Sequence, residues 1–263
     1  MINKMQSAII KKDLLSIVSN KNILVGLIIV PLVFTVFFPA LFITLMYFVP
    51  DQMTDLEQVL SMLPEEMISD DINHTIIVFL LDNIMPVFFT IIPIMASTVM
   101  AASSFVGEKE KSTLETLLYC PLSLTQIYQA KVWASFFLSM GVTFVSFIMM
   151  LITVETGLLL TTGSMIIPGL SWLFTLLVVA PAVTLLAITL IVTGSAKAKS
   201  FEDAQQRALF LILPLILIIV GQFTGIILIN EWYLLIAGAI FGLIAFLMMQ
   251  KSMRNISYEK LLR

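Results

Sequence analysis

Six long runs of apolar residues dominate the chain, and shorter polar segments separate most of them. The runs cover residues 22–49, 83–106, 132–154, 166–193, 208–229 and 232–250. The shortest run has 19 residues, and none carries Lys, Arg, Asp or Glu near its middle. As a helix, a run of that length crosses about 30 Å of hydrocarbon. The pattern therefore predicts an all-α integral membrane protein with six transmembrane helices in the region 22–250.

The polar segments around these spans predict three further parts. Residues 1–21 mix apolar positions with four lysines, which favours a cytoplasmic N-terminal helix along the inner leaflet. A solvated leader is the alternative. The outer loop 50–82 contains an acidic helix and a second apolar piece, 75–81, which either lies in the interface or extends the second span. Residues 251–263 form a tail.

The charged residues predict the orientation of the spans. All 14 Lys and Arg residues fall on one side of the six-span topology, together with seven acids, and ten acids fall on the other side. The net charge of −3 and the pI of about 5.2 conceal this asymmetry. Because short loops rich in Lys and Arg stay in the cytoplasm, both termini are predicted to be cytoplasmic. The protein would thus cross the cell (plasma or inner) membrane several times.

The composition excludes several classes of protein. A mean hydropathy of +1.05 and a hydrophobic fraction of 59% exclude an ordinary soluble domain. One histidine, His74, and one cysteine, Cys120, cannot form a metal-binding cluster. The chain has neither a phosphate-binding loop nor a G-x-S-x-G nucleophile motif. The sequence therefore predicts no catalytic residue, no metal, no cofactor bound by this chain and no nucleic-acid partner.

The spans contain hydroxyl and amide side chains but lack the buried acids of a proton or cation relay. Most such polar groups bond back to their own helix or bridge to a neighbouring one, although some could line a path. The set is Ser97, Thr98, Ser103, Ser104, Ser135, Ser139, Thr143, Thr184, Thr189 and Gln222. Seven prolines within the spans either set packing geometry or act as hinges. The G-x-x-x-G runs Gly221–Gly225 and Gly238–Gly242 predict close contact in the last hairpin.

The loop 107–131, between the second and third spans, has the pattern of a short helix, a corner and a second helix. A capping box beginning at Ser112 starts the short helix. Pro121 ends it, because proline lacks an N–H and disfavours a helical residue before it. Ser123 and Gln126 form a second capping box, which starts the helix of the third span. The loop is therefore predicted to be a compact elbow.

An apolar stripe on the short helix needs a surface that covers it. Leu114, Leu117 and Leu118 recur at helical spacing and share one face. That face is buried either on the chain's own inner surface or in a groove of a cytoplasmic partner. In the second case the charged residues 108–111 would form a polar rim around the contact. The residue pattern leaves both alternatives open.

The run Glu108-x-Glu110-Lys111-x-Thr113-Leu114-Glu115-x-Leu117-Leu118-x-x-Pro121-Leu122 resembles the coupling segment of ABC-2 type ABC transporter permeases. In that family the segment follows the second of six spans and seats in the nucleotide-binding subunit. The family usually has Arg at the position of Lys111, and Lys keeps the charge but loses the bidentate fork. The resemblance implies that the ATPase-binding residues are Glu108, Lys109, Glu110, Lys111, Thr113, Leu114, Glu115, Leu117, Leu118 and Pro121.

The resemblance covers nearly the whole chain and implies an ABC-2 type exporter fold. The chain would be the permease subunit of an ATP-driven exporter, with no ATPase site of its own. Its partners would be cytoplasmic ABC ATPase subunits, which use ATP and Mg, a second permease subunit in a homo- or heterodimer, and membrane lipid. The exported substrate would be an amphipathic peptide, a lipid-like compound, a drug or an ion. The alternative is an ATP-independent membrane carrier or a membrane-shielding immunity protein.

A second inner loop, 197–207, is similar to a segment in the branch of sodium-extruding permeases. Ser200 and Asp203 in this loop also fit an N-cap pair that would start the fifth helix. One interpretation of the segment is a well-capped helix start and nothing more. No sodium substrate is inferred from the similarity.

Overall fold

The six predicted spans are present in the structure, a computed structural model that describes residues 4–48, 72–110, 121–161, 163, 168–195, 200–223 and 231–254. Six of its helices are long and apolar enough to cross a membrane. In chain order they are Ile23–Leu45, Ile76–Glu110, Leu124–Thr161, Leu170–Gly194, Phe201–Gln222 and Glu231–Arg254, and they are called spans 1 to 6 below. The described residues contain no β-strand, so the protein is an all-α, multi-pass membrane protein.

The helices divide into α-helical and π-helical segments. The α-helical segments are Lys4–Ser19, Lys21–Leu32, Phe38–Phe48, Ile72–Phe79, Met85–Phe89, Ile91–Ala101, Gly107–Glu110, Leu124–Thr161, Leu170–Phe174, Ala180–Ser195, Phe201–Phe223 and Glu231–Arg254. The π-helical segments are Val33–Phe37, Leu80–Ile84, Ala102–Val106 and Thr175–Val179. The apolar piece 75–81 continues into span 2, which confirms the second of the two interpretations of that piece.

Spans 2 and 4 form the centre of the bundle, because most of their side chains are buried. In spans 1, 3, 5 and 6 most side chains are partly or fully exposed, as expected for helices whose outer faces meet lipid. At one end of span 2, Leu80 packs with Leu158 of span 3 and Trp172 of span 4. At the other end, Phe105 packs with Tyr128 of span 3.

Three of the four π-helical segments lie within two residues of a proline. The pairs are Pro31 with Val33–Phe37, Pro86 with Leu80–Ile84, and Pro181 with Thr175–Val179. Proline removes one backbone donor and crowds the carbonyl of the preceding turn, and a wider π turn accommodates this break without ending the helix. The prolines therefore change the local winding of spans 1, 2 and 4.

The close contact predicted at Gly238–Gly242 is present, but the prediction of its partner was wrong. A Cβ on Gly238 would lie 2.9 Å from Val178 Cγ1, and one on Gly242 would lie 3.7 Å from Ala182 Cβ. Both neighbours belong to span 4, so span 6 crosses the central helix rather than packing closely on span 5. A contact between spans 5 and 6 was expected because they follow each other in the sequence. The close contact is instead made with span 4, which is buried at the centre of the bundle. Gly225 of the other run lies outside the described residues.

Candidate coupling site

The structure describes the base of the predicted coupling loop. Glu108, Lys109 and Glu110 form the last turn of span 2, and Pro121 lies exposed just before span 3. The other predicted coupling residues lie outside the described residues: Lys111, Thr113, Leu114, Glu115, Leu117 and Leu118. The short leucine-striped helix and its capping box therefore stay predictions.

The helix of span 3 begins with the predicted capping box. The backbone N–H of Ser123 donates to Gln126 Oε1 at 3.0 Å, and the N–H of Gln126 donates to Ser123 Oγ at 3.3 Å. Each side chain thus satisfies a donor that the first helical turn leaves without a partner. Span 3 then continues without interruption to Thr161, so the corner after Pro121 leads directly into a 38-residue rod.

Glu110 connects the coupling loop to the start of span 5. The N–H of Phe201 donates to Glu110 Oε2 at 3.3 Å, and the N–H of Asp203 donates to Ser200 Oγ at 3.2 Å. The second bond confirms the predicted N-cap. A carboxylate at this position also compensates the positive end of the helix dipole. The end of span 2 therefore contacts the first turn of span 5.

A buried charge cluster, formed by Lys12, Asp13, Ser104, Glu108 and Lys131, lies at the base of the loop. Lys131 is only 1% exposed, Asp13 4% and Glu108 8%. The Lys131 amine donates to the Ser104 carbonyl at 2.6 Å and to Glu108 Oε2 at 2.5 Å. Ser104 Oγ donates to Asp13 Oδ2 at 2.6 Å, and Lys131 Nζ lies 3.6 Å from the same oxygen.

The cluster is formally neutral, because two bases face two acids. Lys12 is half-exposed and completes it with an ion pair to Glu108, and its amine lies 3.9 Å from Asp13 Oδ1. The Lys131 amine also lies 5.5 Å from the centre of the Phe105 ring, within the range of a cation–π contact. Pairing of this kind is what allows charges to remain in a low-dielectric surrounding.

Sequence reasoning missed this cluster, since it counted Lys131 only as a base of the cytoplasmic loop 107–131 and gave Asp13 no role. Two features could have indicated it. Asp13 is the only acid among residues 1–21, and Lys131 is the only charged residue between Glu115 and Glu155. Isolated charges in apolar helices require partners. The pattern could not show that these two residues, far apart in sequence, meet each other.

The N-terminal helix, Lys4–Ser19, packs on the bundle through one stripe. The buried residues of the stripe are Gln6, Ile9, Asp13 and Ile17. Gln6 Nε2 donates to the Gln126 carbonyl at 3.2 Å, and Ile9 packs against Ile127 and Ala130 of span 3. Met5, Leu15 and Val18 remain exposed beside the lysines. Placement of this exposed face against anionic lipid stays a prediction.

Most hydroxyl groups of the spans bond back to their own helices, as predicted. Ser97, Thr98, Ser139, Thr143 and Thr189 each donate to a carbonyl three or four residues earlier, at 2.7–2.9 Å. Three side chains of the predicted set instead connect different helices, and one of them is Thr184, whose Oγ1 donates to Met140 Sδ of span 3 at 3.9 Å. Ser104 joins the charge cluster, and Gln222 Nε2 donates to the Asn83 carbonyl at 2.9 Å. These hydroxyls therefore do not by themselves define a path for a substrate.

Three hydrogen bonds fasten the other end of span 2 at its π-helical segment Leu80–Ile84. The N–H of Gly169 donates to Asp82 Oδ1 at 3.1 Å, and Trp172 Nε1 donates to the Leu81 carbonyl at 2.9 Å. The third is the bond from Gln222 described above. Span 2 is thus bonded to spans 4 and 5 at this end and to span 3 and the N-terminal helix at the other.

The fold defines a multi-pass helical membrane protein in which the central span 2 carries the candidate coupling loop. The family described as "ABC-2 family transporter protein" matches residues 7–233, and the chain belongs to this family. The protein is therefore a membrane-spanning permease component of an ABC transporter, and its family associates with ABC ATPase subunits. Permeases of this kind generally lack an ATPase site of their own. No curated protein and no solved structure matches the chain.

Proposed function

We propose that the chain is the permease subunit of an ATP-driven exporter and that its loop 107–131 receives the motion of a separate ATPase subunit. One observation supports this most directly. The loop connects spans 2 and 3, and the Lys131–Glu108 pair at 2.5 Å joins these spans where the loop begins and ends. A force applied to the loop would act on both helices together.

The packing of span 2 gives such a force a route into the bundle. Span 2 is central, and its distal end is hydrogen-bonded to spans 4 and 5. Long packed helices transmit displacement because their cores resist compression. Rigid-body shifts of helices are a common way to alternate between two openings. Movement of the loop would therefore change the arrangement of the spans that enclose a substrate path.

The proposed assembly contains cytoplasmic ABC ATPase subunits, a second permease subunit and surrounding lipid. ATP and Mg would bind to the ATPase subunits. The coupling contact would consist of Lys109, Glu110, Lys111, Thr113, Leu114, Glu115, Leu117, Leu118 and Pro121, with the buried Glu108 supporting it from the base. The substrate class stays as inferred from the resemblance: an amphipathic peptide, a lipid-like compound, a drug or an ion. Family membership favours this assembly over an ATP-independent carrier or immunity protein.

Cytoplasmic placement of the loop is supported by what lies near it. The Lys12–Glu108 pair brings the N-terminal helix to the base of the loop, and Gln129 Nε2 lies 3.8 Å from Met253 Sδ near the end of span 6. The lysines and arginines of the chain concentrate at this end of the topology, as the positive-inside rule requires of a cytoplasmic face.

The single cysteine provides a test of that orientation. Cys120 lies within the coupling loop, so a membrane-impermeant maleimide should label it in inside-out vesicles and not in intact cells. The Cys120→Ser variant provides the blank. Labelling of intact cells would place the loop outside and contradict the proposal.

Association with an ATPase tests the coupling contact itself. The permease is co-purified with its cognate ABC ATPase, and ATP hydrolysis is measured with and without the permease. Leu118→Glu and Glu115→Lys should each abolish association or stimulation, because one buries a charge in the apolar face and the other reverses a charge at the contact. Arg254→Glu is the matched control, since it reverses an exposed charge near the end of span 6. Undiminished association and stimulation in both loop variants would exclude this loop as the dock.

ATP-dependent uptake by inside-out vesicles that contain both subunits tests the direction of transport. A fluorescent amphipathic peptide and a fluorescent phospholipid are suitable probes of two of the substrate classes. Uptake into such vesicles corresponds to export from the cell. ATP-dependent efflux from the same vesicles would identify an importer.

A further inference from the structure

We infer that the N-terminal helix, Lys4–Ser19, moves together with spans 2 and 3 when the coupling loop moves. The buried charge cluster fixes this helix to the base of the loop. Asp13 and Lys131 are then positioning residues, which keep this helix and the bases of spans 2 and 3 together as one rigid unit. The inference rests on the proposed function, since it concerns how motion at the loop spreads through the permease.

Three separate segments of the chain meet in the cluster. Asp13 comes from the N-terminal helix, Ser104 and Glu108 come from span 2, and Lys131 comes from span 3. Ser104 occupies the middle, because its hydroxyl donates to Asp13 while both of its oxygens lie within 3.3 Å of the Lys131 amine. The three segments therefore share one continuous hydrogen-bond network.

Burial makes the network costly to open. Asp13 and Lys131 are almost completely withdrawn from solvent, so separation of the helices would leave each charge without a partner in an apolar surrounding. A helix held only by lipid would need no acid on its inner face. The buried Asp13 thus joins the N-terminal helix to spans 2 and 3 specifically.

Apolar contacts on both sides of Asp13 hold the same helix in the same position. On the N-terminal side, Ile9 packs against Ile127 and Ala130 of span 3. On the C-terminal side, Ile17 packs with Met100 of span 2. The helix is therefore seated along both spans that carry the loop, and the cluster lies between the two apolar contacts.

The position of the cluster gives the contact a mechanical consequence. Glu108 precedes the described end of span 2 by two residues, and Lys131 ends the predicted loop. Their pair closes the loop at its base, and Lys12 and Asp13 attach the N-terminal helix to that closure. A shift of the loop would carry the N-terminal helix with it and drag its exposed face, with Met5 and Lys11, along the membrane surface.

The first experiment uses the complete permease–ATPase complex in nanodiscs and measures stimulation of ATP hydrolysis by the permease. Asp13→Asn should lower the kcat of the stimulated reaction at least about fivefold, which corresponds to about 1 kcal/mol, with the KM for ATP and the amount of bound ATPase unchanged. Lys11→Gln changes an exposed charge on the same helix and is the matched control. Asp13→Glu, which keeps a carboxylate at this position, should retain most of the kcat. An unchanged kcat in Asp13→Asn would overturn the inference.

The second experiment fixes the helix to span 3 with a disulfide. Ile9→Cys and Ala130→Cys are combined in a Cys120→Ser background, and stimulation is compared before and after oxidation. A rigid unit should retain its stimulation when cross-linked, because no relative movement is blocked. Loss of stimulation that a reductant reverses would show that the helix slides on span 3, and the inference would fall.

The two proposals fail in distinguishable ways. If the unmodified permease neither binds nor stimulates the ATPase, the proposed function fails and the inference falls with it. The unmodified complex could instead be active while Asp13→Asn leaves the kcat unchanged or the cross-link reversibly abolishes stimulation. In that case only the inference of a rigid unit fails, and the proposed function stands.

Discussion

Replacement of Gly238 by alanine tests the contact between spans 4 and 6, on which the central position of span 4 depends. The added Cβ would lie 2.9 Å from Val178 Cγ1, 3.2 Å from the Val178 carbonyl carbon and 3.2 Å from Val179 Cγ2. The nearest neighbour is a side-chain atom, but the second belongs to the backbone of a π-helical segment. A rotation of the Val178 side chain alone would therefore not make enough room, and the helices would have to move apart.

The size of the effect follows from two opposing terms. Overpacking a well-filled core by one methyl group destabilises a protein by about 1–3 kcal/mol. Alanine in place of a helical glycine stabilises by up to about 1 kcal/mol, as measured in water. Gly141→Ala measures the second term alone, because nothing lies within 4 Å of a Cβ at that position. The difference between the two variants should be about 1–3 kcal/mol, with Gly238→Ala the less stable.

The free energy of unfolding of both variants is measured by denaturant titration in one detergent and at one protein concentration. Val178→Ala in the Gly238→Ala background should recover part of the loss, because it removes the atom at 2.9 Å and leaves the backbone carbon in place. The double-mutant cycle isolates this pairwise term. If Gly238→Ala and Gly141→Ala agree within about 0.5 kcal/mol, the ordinary scatter of surface substitutions, the close crossing of spans 4 and 6 is refuted.

Three further substitutions test the hydrogen bonds that position the spans. Trp172→Phe removes the donor to the Leu81 carbonyl and part of a buried ring, and it should lower the free energy of unfolding by at least about 1 kcal/mol; an unchanged unfolding midpoint would show that this bond does not fasten the Leu80–Ile84 end of span 2. Ser123→Ala removes half of the capping box and should cost about 1 kcal/mol; Ser123→Asp, which can still cap, should retain most of the stability in the same titration. Thr143→Val removes a hydroxyl that bonds only to its own helix and should leave permease-stimulated ATP hydrolysis within twofold of the wild type, about 0.4 kcal/mol; a larger loss would indicate that this hydroxyl serves another purpose.

Much of the fold could be predicted because the membrane restricts the solutions. Each of the six apolar runs is long enough to span hydrocarbon, where backbone groups must be satisfied within the segment, so length and hydropathy predict the helices directly. Their ends were less predictable. Span 3 begins at Leu124, where its capping box predicts a start, but it ends at Thr161, beyond the apolar run 132–154, because turns outside the hydrocarbon continue a helix without an apolar signature.

Helix partners were harder to predict than the helices. The glycines at 238 and 242 correctly indicated a close approach, but nothing in their spacing states which helix approaches. The same limit applies to the candidate site. The capping pairs Ser123–Gln126 and Ser200–Asp203 are local, and spacing in the sequence was enough to predict them. The Asp13–Lys131 contact joins residues more than a hundred positions apart, and no periodicity encodes such a distance.

The predicted orientation rests on a count of bases that includes Lys12 and Lys131 among the cytoplasmic segments. Both are paired with acids in the structure, Lys131 with Glu108 and Asp13, and Lys12 with Glu108. If this neutral group is left out, two bases and two acids leave the count, and the excess of bases on that face remains seven. The charge asymmetry that predicts the orientation therefore does not depend on this cluster. The cluster can lock the N-terminal helix to spans 2 and 3 without weakening the positive face that the other twelve bases provide.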